Sequence, residues 1–173
     1  MPAKSKDQSP RIYEKPAETM AVVTSKGDPN VAGEGVFPAL YGAANTLKFQ
    51  LKKSGQPDFK VTGLRARWPD AHLVPKDRWT AHWGLPIPDG TTELPAKVPE
   101  PKVRIERWEY GTVAEILHLG PYSEEGPTIE RLRKFIEESG YEIAGVHEEE
   151  YLTRPTAKVP KTLIRYPVKR REE

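Results

Sequence analysis

The chain of 173 residues carries the same pattern twice, and this duplication limits its fold more than any other feature. In the first half, Thr19 opens an apolar run that leads to Gly27. In the second half, Thr112 opens a similar run that leads to Gly120, and the interval from threonine to glycine is the same. The sequence therefore predicts two structurally related halves.

A helix is predicted after each of these glycines. Pro38 and Pro127 mark the predicted starts, because the missing N–H of proline has no intrahelical partner in a first turn anyway. Gly55 and Gly140 mark the predicted ends, since glycine readily adopts the left-handed conformation that follows a helix. Apolar residues fall on one stripe of each helix, namely Leu40, Ala44, Leu47 and Leu51 in the first and Ile129, Leu132, Phe135 and Ile136 in the second.

Two strand-like segments follow each helix. They span residues 60–68 and 78–87 in the first half, and 141–152 and 161–169 in the second. Each half is therefore predicted to be a β-α-β-β repeat. Two such units side by side give an α+β fold, an antiparallel sheet with helices on one face.

The boundaries of the repeats follow from local composition. Residues 1–17 are predicted to be an N-terminal arm, with the domain occupying residues 18–173. Repeat one spans about 18–88 and repeat two about 103–168, the latter opened by a strand-like segment at 103–108. The intervening residues 89–102 are rich in proline and are interpreted as an extended linker.

Charge and composition exclude several classes of function. The 27 basic and 25 acidic side chains nearly balance, which argues against a dedicated nucleic-acid binder. No apolar run approaches the roughly 20 residues of a membrane helix, and the N-terminus lacks a signal-peptide pattern, so a cytoplasmic protein is expected. There is no cysteine, no metal-ligand spacing and no phosphate-binding glycine loop, so neither a metal nor a cofactor is expected.

The most unusual stretch is GVHEEEYLTRP, from Gly145 to Pro155. Side chains alternate along a strand, which places His147, Glu149 and Tyr151 on one face. The opposite face holds Val146, Glu148, Glu150 and Leu152. We interpret that second face as the helix-packed side, so Glu148 and Glu150 are expected near an open edge, unless a bulge resets the register. The first face suits a ligand cavity; the alternative is a solvated face whose charges oppose aggregation.

Four tryptophans are more than the core of such a polar chain requires. Trp79 and Trp83 share a face of one predicted strand, Trp68 ends the preceding strand, and Trp108 lies before the second repeat. Ring faces attract cations and a buried carboxylate supplies the counter-charge, so such a pocket suits flat, apolar or cationic molecules. The alternative is that some of these rings are core. His118, in AEILHLGPY, is more typical of a core or rim residue than of a catalyst.

Several segments together resemble the GyrI-like small-molecule-binding domain. They are GTVAEILHLGPYSEEGPTIERL, SGYEIAGVHEEEYLTRP and KTLIRYPV in the second half, and KGDPN, ALYGAANTLKFQLKKSG and RWTAHWGLPIP in the first. The resemblance covers about residues 18–168 and implies two β-α-β-β (SHS2) repeats around a central ligand cavity. This family includes effector-binding domains of multidrug-responsive transcription activators, which bind lipophilic cations through an acidic residue among aromatic rings. It also includes a gyrase-inhibitory protein and stand-alone members that hydrolyse cyclopropane-containing alkylating compounds.

The resemblance places the family's functional residues on the predicted strand that contains Glu148, Glu149 and Glu150, which is called the acidic strand below. The family pattern His-His-Glu-Ile-Tyr-Leu-Ser-Asp-Pro puts its first histidine at His147, its glutamate at Glu149 and its tyrosine at Tyr151. This sequence departs from the pattern at Glu148, Glu150 and Arg154. The first-half strand departs further: of the family's Glu-Gly-Leu-Trp-Trp only Gly63 and Leu64 hold position. The arginines that follow, Arg65 and Arg67, are expected either to pair with Glu149 or to favour anionic ligands.

The resemblance implies a protein that binds small lipophilic, aromatic or cationic compounds. In a hydrolytic member, Glu149 would be the general base, with a pKa raised by burial, and Tyr151 would donate a hydrogen bond to the oxygen that gains charge. The candidate ligand-binding residues are His147, Trp68, Trp79, Trp83, Trp108, Tyr122, His118 and Tyr41. The alternatives left open are a sequestering module without chemistry and a topoisomerase-inhibitory interaction. A small molecule is the expected partner, without direct nucleic-acid or membrane binding, in a monomer or a dimer.

Overall fold

The computed structural model describes residues 8–154 and 156–172, so part of the predicted N-terminal arm and Pro155 lie outside the described residues. The elements in chain order are β1 (Arg11–Lys15), β2 (Glu18–Lys26), α1 (Pro29–Lys53), β3 (Leu64–Arg67), β4 (Thr80–Pro86), β5 (Arg104–Trp108), β6 (Gly111–Leu119), α2 (Glu125–Glu138), β7 (Tyr141–Ile143), β8 (Glu148–Tyr151) and β9 (Lys161–Arg170). Short 3-10 turns at Lys76–Arg78 and Tyr122–Glu124 precede β4 and α2.

The chain divides into two compact units, one of residues 17–109 and one that combines the segment up to Pro16 with the residues from Tyr110 onward. In the first unit the strand order is β3-β4-β2-β5, and in the second it is β8-β9-β6-β1, with β7 also paired to β9. The strand pairs within each unit are antiparallel. The predicted α+β class and the β-α-β-β duplication are confirmed, because β2-α1-β3-β4 and β6-α2-β8-β9 have the same order, with the short strand β7 added in the second unit.

The outer strand of each unit comes from a distant part of the chain. Residues 104–108, predicted to open the second repeat, instead pair as β5 with β2. Residues 11–15, predicted as part of an arm, form β1 and pair with β6. The added strand is β5 in the first unit and β1 in the second. It forms hydrogen bonds with the backbone groups along the free edge of the repeat's first strand, β2 or β6.

The helix ends agree with the sequence, whereas one helix start does not. Gly55 and Gly140 follow the two helices with φ of +76° and +82°, as predicted. Pro127 lies in the first turn of α2. Pro38, however, lies inside α1, which begins at Pro29. The first-turn position predicted for Pro38 is therefore held by Pro29, where the missing N–H of a proline costs no hydrogen bond.

Each helix packs its apolar stripe on one face of its own sheet. In the second unit, Leu132 and Ile136 of α2 contact a buried cluster that includes Ile116 of β6 and Ile164 of β9. In the first unit, the buried α1 residues are Val36, Ala39, Leu40, Ala43, Ala44 and Leu47. Neither helix of the described chain is long and apolar enough to cross a membrane.

The acidic strand is oriented opposite to the interpretation from sequence. Glu149 pairs in register with Ile164, which belongs to the core against α2, so Glu149 lies on the helix-covered face. Glu148 and Glu150 therefore lie on the other face. Val146 does not mark the helix-packed face, because it is exposed and precedes β8.

Candidate functional site

The carboxylate of Glu149 is the centre of a hydrogen-bonded group on β8. Glu149 is only 7% exposed. His147 Nε2 lies 2.9 Å from its Oε2, and the Tyr151 hydroxyl donates to its Oε1 at 3.2 Å. The Nδ1 of His147 lies 3.0 Å from the Tyr166 hydroxyl on β9. Strand alternation thus brings together the three residues that the sequence placed on one face.

A second carboxyl group, Glu125, meets Glu149 from the start of α2. Glu125 is the first residue of that helix and is also 7% exposed. Its side chain is hydrogen-bonded to Glu149, and its Oε1 accepts no hydrogen bond from the described residues. Glu125 is a site residue that the sequence patterns did not predict. The pair Glu124-Glu125 just before a predicted helix start was the available signal, but nothing local showed that α2 would point at β8.

His118 holds the start of α2 in place. Its Nδ1 lies 2.8 Å from the Thr128 hydroxyl on α2, and its Nε2 lies 3.0 Å from the carbonyl oxygen of Pro121. Both ring nitrogens are therefore used within the protein. His118 is a buried linking residue between β6 and the helix, in line with its interpretation as core or rim rather than catalyst.

The two carboxyl groups are driven to opposite protonation states. Burial and the hydrogen bond to Glu149 raise the pKa of Glu125 to about 9. Burial acts in the same direction on Glu149, but hydrogen bonds from His147, Glu125 and Tyr151 outweigh it and lower its pKa below the ordinary value. At neutral pH the pair therefore holds one proton, on Glu125. This corrects the expectation that burial would raise the pKa of Glu149.

Two tyrosine rings flank the carboxyl pair. The rings of Tyr122 and Tyr151 meet edge to face, with centroids 5.6 Å apart. Burial and the nearby charge of Glu149 raise the pKa of both phenols, so both remain neutral hydrogen-bond donors. Tyr122 is exposed and Tyr151 is half-buried, so the rings form a rim beside the acidic centre.

The other two glutamates of the triplet belong to a buried ionic cluster on the opposite face. Arg165 of β9 donates hydrogen bonds to Glu148, Glu150 and Glu115, and all four side chains are almost fully buried. The expectation of an open edge is therefore wrong for Glu148 and Glu150, as is the alternative of a solvated face. The strand accepts these charges because a guanidinium with several donors faces them across the sheet.

Two of the predicted tryptophans form an aromatic cluster in the unit of residues 17–109. Trp83 of β4 is 4% exposed, and its ring meets Phe37 of α1 at 5.2 Å and Trp68 at 6.0 Å between centroids. Its indole N–H donates to the Ser25 hydroxyl at 2.9 Å. This contact with α1 places Trp83 on the helix-covered face of its own unit.

The remaining predicted aromatic residues of that unit lie elsewhere. Trp108 packs beside Gly84, the strand neighbour of Trp83, and so occupies the opposite face of the sheet. Trp79 precedes β4 rather than sharing its face, and its indole N–H donates to the carbonyl of Val74 at 3.2 Å. Tyr41 is half-buried on α1, and burial raises its pKa. Trp83 and Trp108 therefore do not form one wall.

The two arginines of β3 have partners within their own unit. Arg65 Nη1 lies 3.0 Å from a carboxylate oxygen of Glu18, and the guanidinium of Arg67 stacks on the Trp108 ring at 3.9 Å. Within residues 8–154 and 156–172, no group of histidine and acidic side chains is arranged to hold a metal ion.

A model of the GyrI-like small molecule binding domain matches residues 8–169, nearly the whole chain. The chain belongs to the GyrI-like family. This confirms the resemblance found in the sequence. No curated protein sequence shows significant similarity to this GyrI-like chain.

Solved structures resemble this GyrI-like domain over most of its length. A hydrolase from Listeria innocua is 27% identical with a TM-score of 0.82, covering 94% of this chain and 92% of the other. An uncharacterized conserved protein from the same organism is 28% identical with a TM-score of 0.83, covering 94% and 93%. The C-terminal domain of EcmrR is 14% identical with a TM-score of 0.65, covering 94% and 98%, which shows a shared fold alone.

Proposed function

We propose that this GyrI-like domain binds small lipophilic or aromatic compounds, preferably cations, at the Glu149 site. The observation that carries the proposal is a carboxyl group, 7% exposed, that lies beside two tyrosine rings and whose pKa is held below its ordinary value by hydrogen bonds. A buried negative charge is costly unless a positive group or several hydrogen bonds compensate it. A ligand cation would supply the positive group.

The neighbours of Glu149 on the same strand support this assignment. Glu148 and Glu150 are compensated by the permanent positive charge of Arg165. The hydrogen bonds to Glu149 come instead from His147, Tyr151 and Glu125, and of these only the imidazole of His147 can become positively charged. Of the three successive glutamates, Glu149 is thus the one whose ionised form is stabilised by hydrogen bonds but is not neutralised by an arginine. A cationic ligand could neutralise it.

The tyrosine rings favour the same class of ligand. The faces of aromatic rings attract cations and also provide apolar contact for flat molecules. Tyr122 and Tyr151 stand next to the carboxylate and are neutral, so they add no competing charge. Charge and ring faces together select a lipophilic cation over an anion of the same shape.

Tetraphenylphosphonium and tetraphenylborate provide a test, because they share shape and differ in the sign of the charge. Titration calorimetry is expected to show binding of the phosphonium and none of the borate. Glu149→Gln should weaken phosphonium binding about 10- to 100-fold, the value of a contact to a charged group. Glu138→Gln, exposed on the last turn of α2, is the matched control. Equal binding of both ions, or equal affinity in Glu149→Gln, would contradict the proposal.

Hydrolysis is the second candidate, favoured by the 27% identity to a Listeria innocua hydrolase and by the unlike protonation of the carboxyl pair. In this reaction Glu149 removes a proton from water as the water oxygen bonds to a carbon of a strained ring. The ring C–C bond breaks, and its electron pair passes to a conjugated carbonyl oxygen that Tyr151 stabilises and Glu125 protonates. Binding ranks first, because the lowered pKa of Glu149 makes it a weaker base.

Mass spectrometry tests the hydrolytic candidate directly. A cyclopropane-bearing alkylating compound incubated with the protein should gain the mass of one water faster than in buffer alone. Glu149→Gln should abolish the acceleration. Ring opening at the uncatalysed rate with the unaltered protein would remove this candidate and leave the binding proposal standing.

A further inference from the structure

We propose that the Glu125–Glu149 pair matches its charge to the ligand, keeping its shared proton with a monocation and releasing it with a dication. The inference rests on the proposed function, since it concerns the same site. It names two ligand classes that the site accepts and assigns to Glu125 the role of selecting between them.

The geometry provides a second carboxyl group that the chain itself does not compensate. Glu125 and Glu149 come from different elements, α2 and β8, and both are buried where they meet. Glu125 Oε1 accepts no hydrogen bond from the described residues. The fully buried hydroxyl group of Thr162 also has no hydrogen-bond partner among them. Thr162 pairs in register with Tyr151, so it lies on the same helix-covered face. Buried polar atoms normally have partners, so the unpaired Glu125 oxygen next to Glu149 supports a bound molecule at the pair.

Counting charges shows why the proton responds to the ligand. With its proton the pair carries one negative charge, which a monocation neutralises. Without the proton it carries two, which a dication neutralises. Since a net charge is costly in a buried site, each ligand stabilises the protonation state that makes the sum zero. The N-terminal end of α2, where Glu125 lies, further stabilises its ionised form once the proton is lost.

The groups around Glu125 identify it as the source of the proton. The direct neighbours of the pair are His147, which precedes β8, Tyr151 of β8 and Tyr122 of the 3-10 turn. One contact further away, Tyr166 of β9 meets His147, and His118 of β6 meets Thr128 of α2. Both phenols beside the pair have raised pKa values and stay protonated, and both nitrogens of His118 are engaged. The pKa of Glu125, about 9, leaves it protonated in the free protein near neutral pH. His147 is the rival source, and the variants below separate the two.

Two flat ligands of nearly the same shape provide the test. They are 1-methyl-4-phenylpyridinium, a monocation, and 1,1′-dimethyl-4,4′-bipyridinium, a dication. Calorimetry in phosphate and in Tris buffers, whose ionisation enthalpies differ, counts the protons released. We expect about one proton per dication and about none per monocation near neutral pH. Affinity for the dication should then rise about tenfold per pH unit and level off once Glu125 is ionised in the free protein.

Variants assign the effect to one residue. Glu125→Gln should abolish proton release with the dication and reduce the ratio of dication to monocation affinity about tenfold or more. Glu138→Gln should leave both quantities unchanged, and circular dichroism confirms that each variant is folded. Proton release that persists in Glu125→Gln assigns the proton to His147 and overturns the inference. If the monocation binds, the inference is also overturned by a dication that fails to bind or that binds without releasing a proton. If neither cation binds, it is the proposed function that fails.

Discussion

Arg165 donates hydrogen bonds from Nε and Nη2 to the same oxygen of Glu115, at 2.9 and 2.6 Å, and both residues are 2% exposed. The same guanidinium reaches Glu148 and Glu150 on the opposite neighbouring strand. One side chain therefore links β6, β9 and β8 through charge-assisted hydrogen bonds. The apolar core under α2 lies on the other face of the same strands.

Replacing Arg165 by methionine should destabilise the fold strongly. The substitution leaves Glu148 and Glu150 without their cation and Glu115 with Arg11 alone, at a cost of about 3–5 kcal/mol. Urea unfolding followed by circular dichroism measures the change. Lys134→Met, which removes an exposed partner of Glu138, is the control and should cost less than about 1 kcal/mol. A loss for Arg165→Met no larger than for the control would show that the cluster does not stabilise the protein.

Glu125→Gln should gain stability relative to the unaltered protein as the pH rises. The pKa of Glu125 is about 9 in the folded state and near 4.5 when unfolded, so unfolding between these values releases a proton. Folding stability from this group therefore falls as pH rises through that window, and glutamine removes the dependence. Urea unfolding at about pH 5, 7 and 9 should show a growing advantage for the variant. A constant difference would mean that Glu125 is ionised in the folded state.

Glu115 provides a comparison of opposite sign. Its pKa is lowered, since hydrogen bonds and charge from Arg165 and Arg11 outweigh burial. Its contribution is present above the ordinary carboxyl pKa and is lost only as the pH falls below it. The Glu115→Gln difference should therefore stay level across the window in which the Glu125→Gln difference changes.

Gly84→Ala should destabilise the unit of residues 17–109. A Cβ at this position would lie 2.8 Å from Trp108 Cη2 and 3.0 Å from Met20 Cε, so the buried indole would have to move. Such overpacking costs about 1–3 kcal/mol. Gly126→Ala, near the start of α2 with open space around it, should be neutral or stabilise by up to about 1 kcal/mol. Thermal unfolding of the two variants separates crowding at Gly84 from a general effect of adding a methyl group.

Trp83→Ala should lower the free energy of unfolding of the protein. The ring is buried between Phe37 and Trp68, and truncating a buried tryptophan costs about 3–5 kcal/mol. Trp79→Ala should cost less, because Trp79 is half-buried and lies outside the strands. Urea unfolding measures the stability of both variants, and binding is measured only under conditions in which each variant is folded. The two measurements together distinguish a core ring from a ligand contact. A full-stability Trp83→Ala variant with weakened binding would place Trp83 in the ligand site instead.

The acidic strand shows how far local patterns reach. Alternation with a period of two correctly grouped His147, Glu149 and Tyr151, because that period is a property of the strand backbone itself. It did not reveal which face α2 covers. That choice depends on the register between β8 and β9, and a shift of one residue would exchange the faces. Arg165, an arginine within the apolar run TLIRYPV, was the overlooked sign that the face with Glu148 and Glu150 is buried and charged.

The sequence by itself determined the duplication, the α+β class, the glycines that end both helices and the grouping of His147 with Glu149 and Tyr151, since each follows from preferences acting over a few residues. Only the tertiary structure decided that Arg165 neutralises Glu148 and Glu150, that β5 and β1 serve as outer strands, and that Glu125 meets Glu149. These contacts join residues far apart in the chain. Their existence depends on strand register and on the direction in which α2 packs, which long-range burial selects.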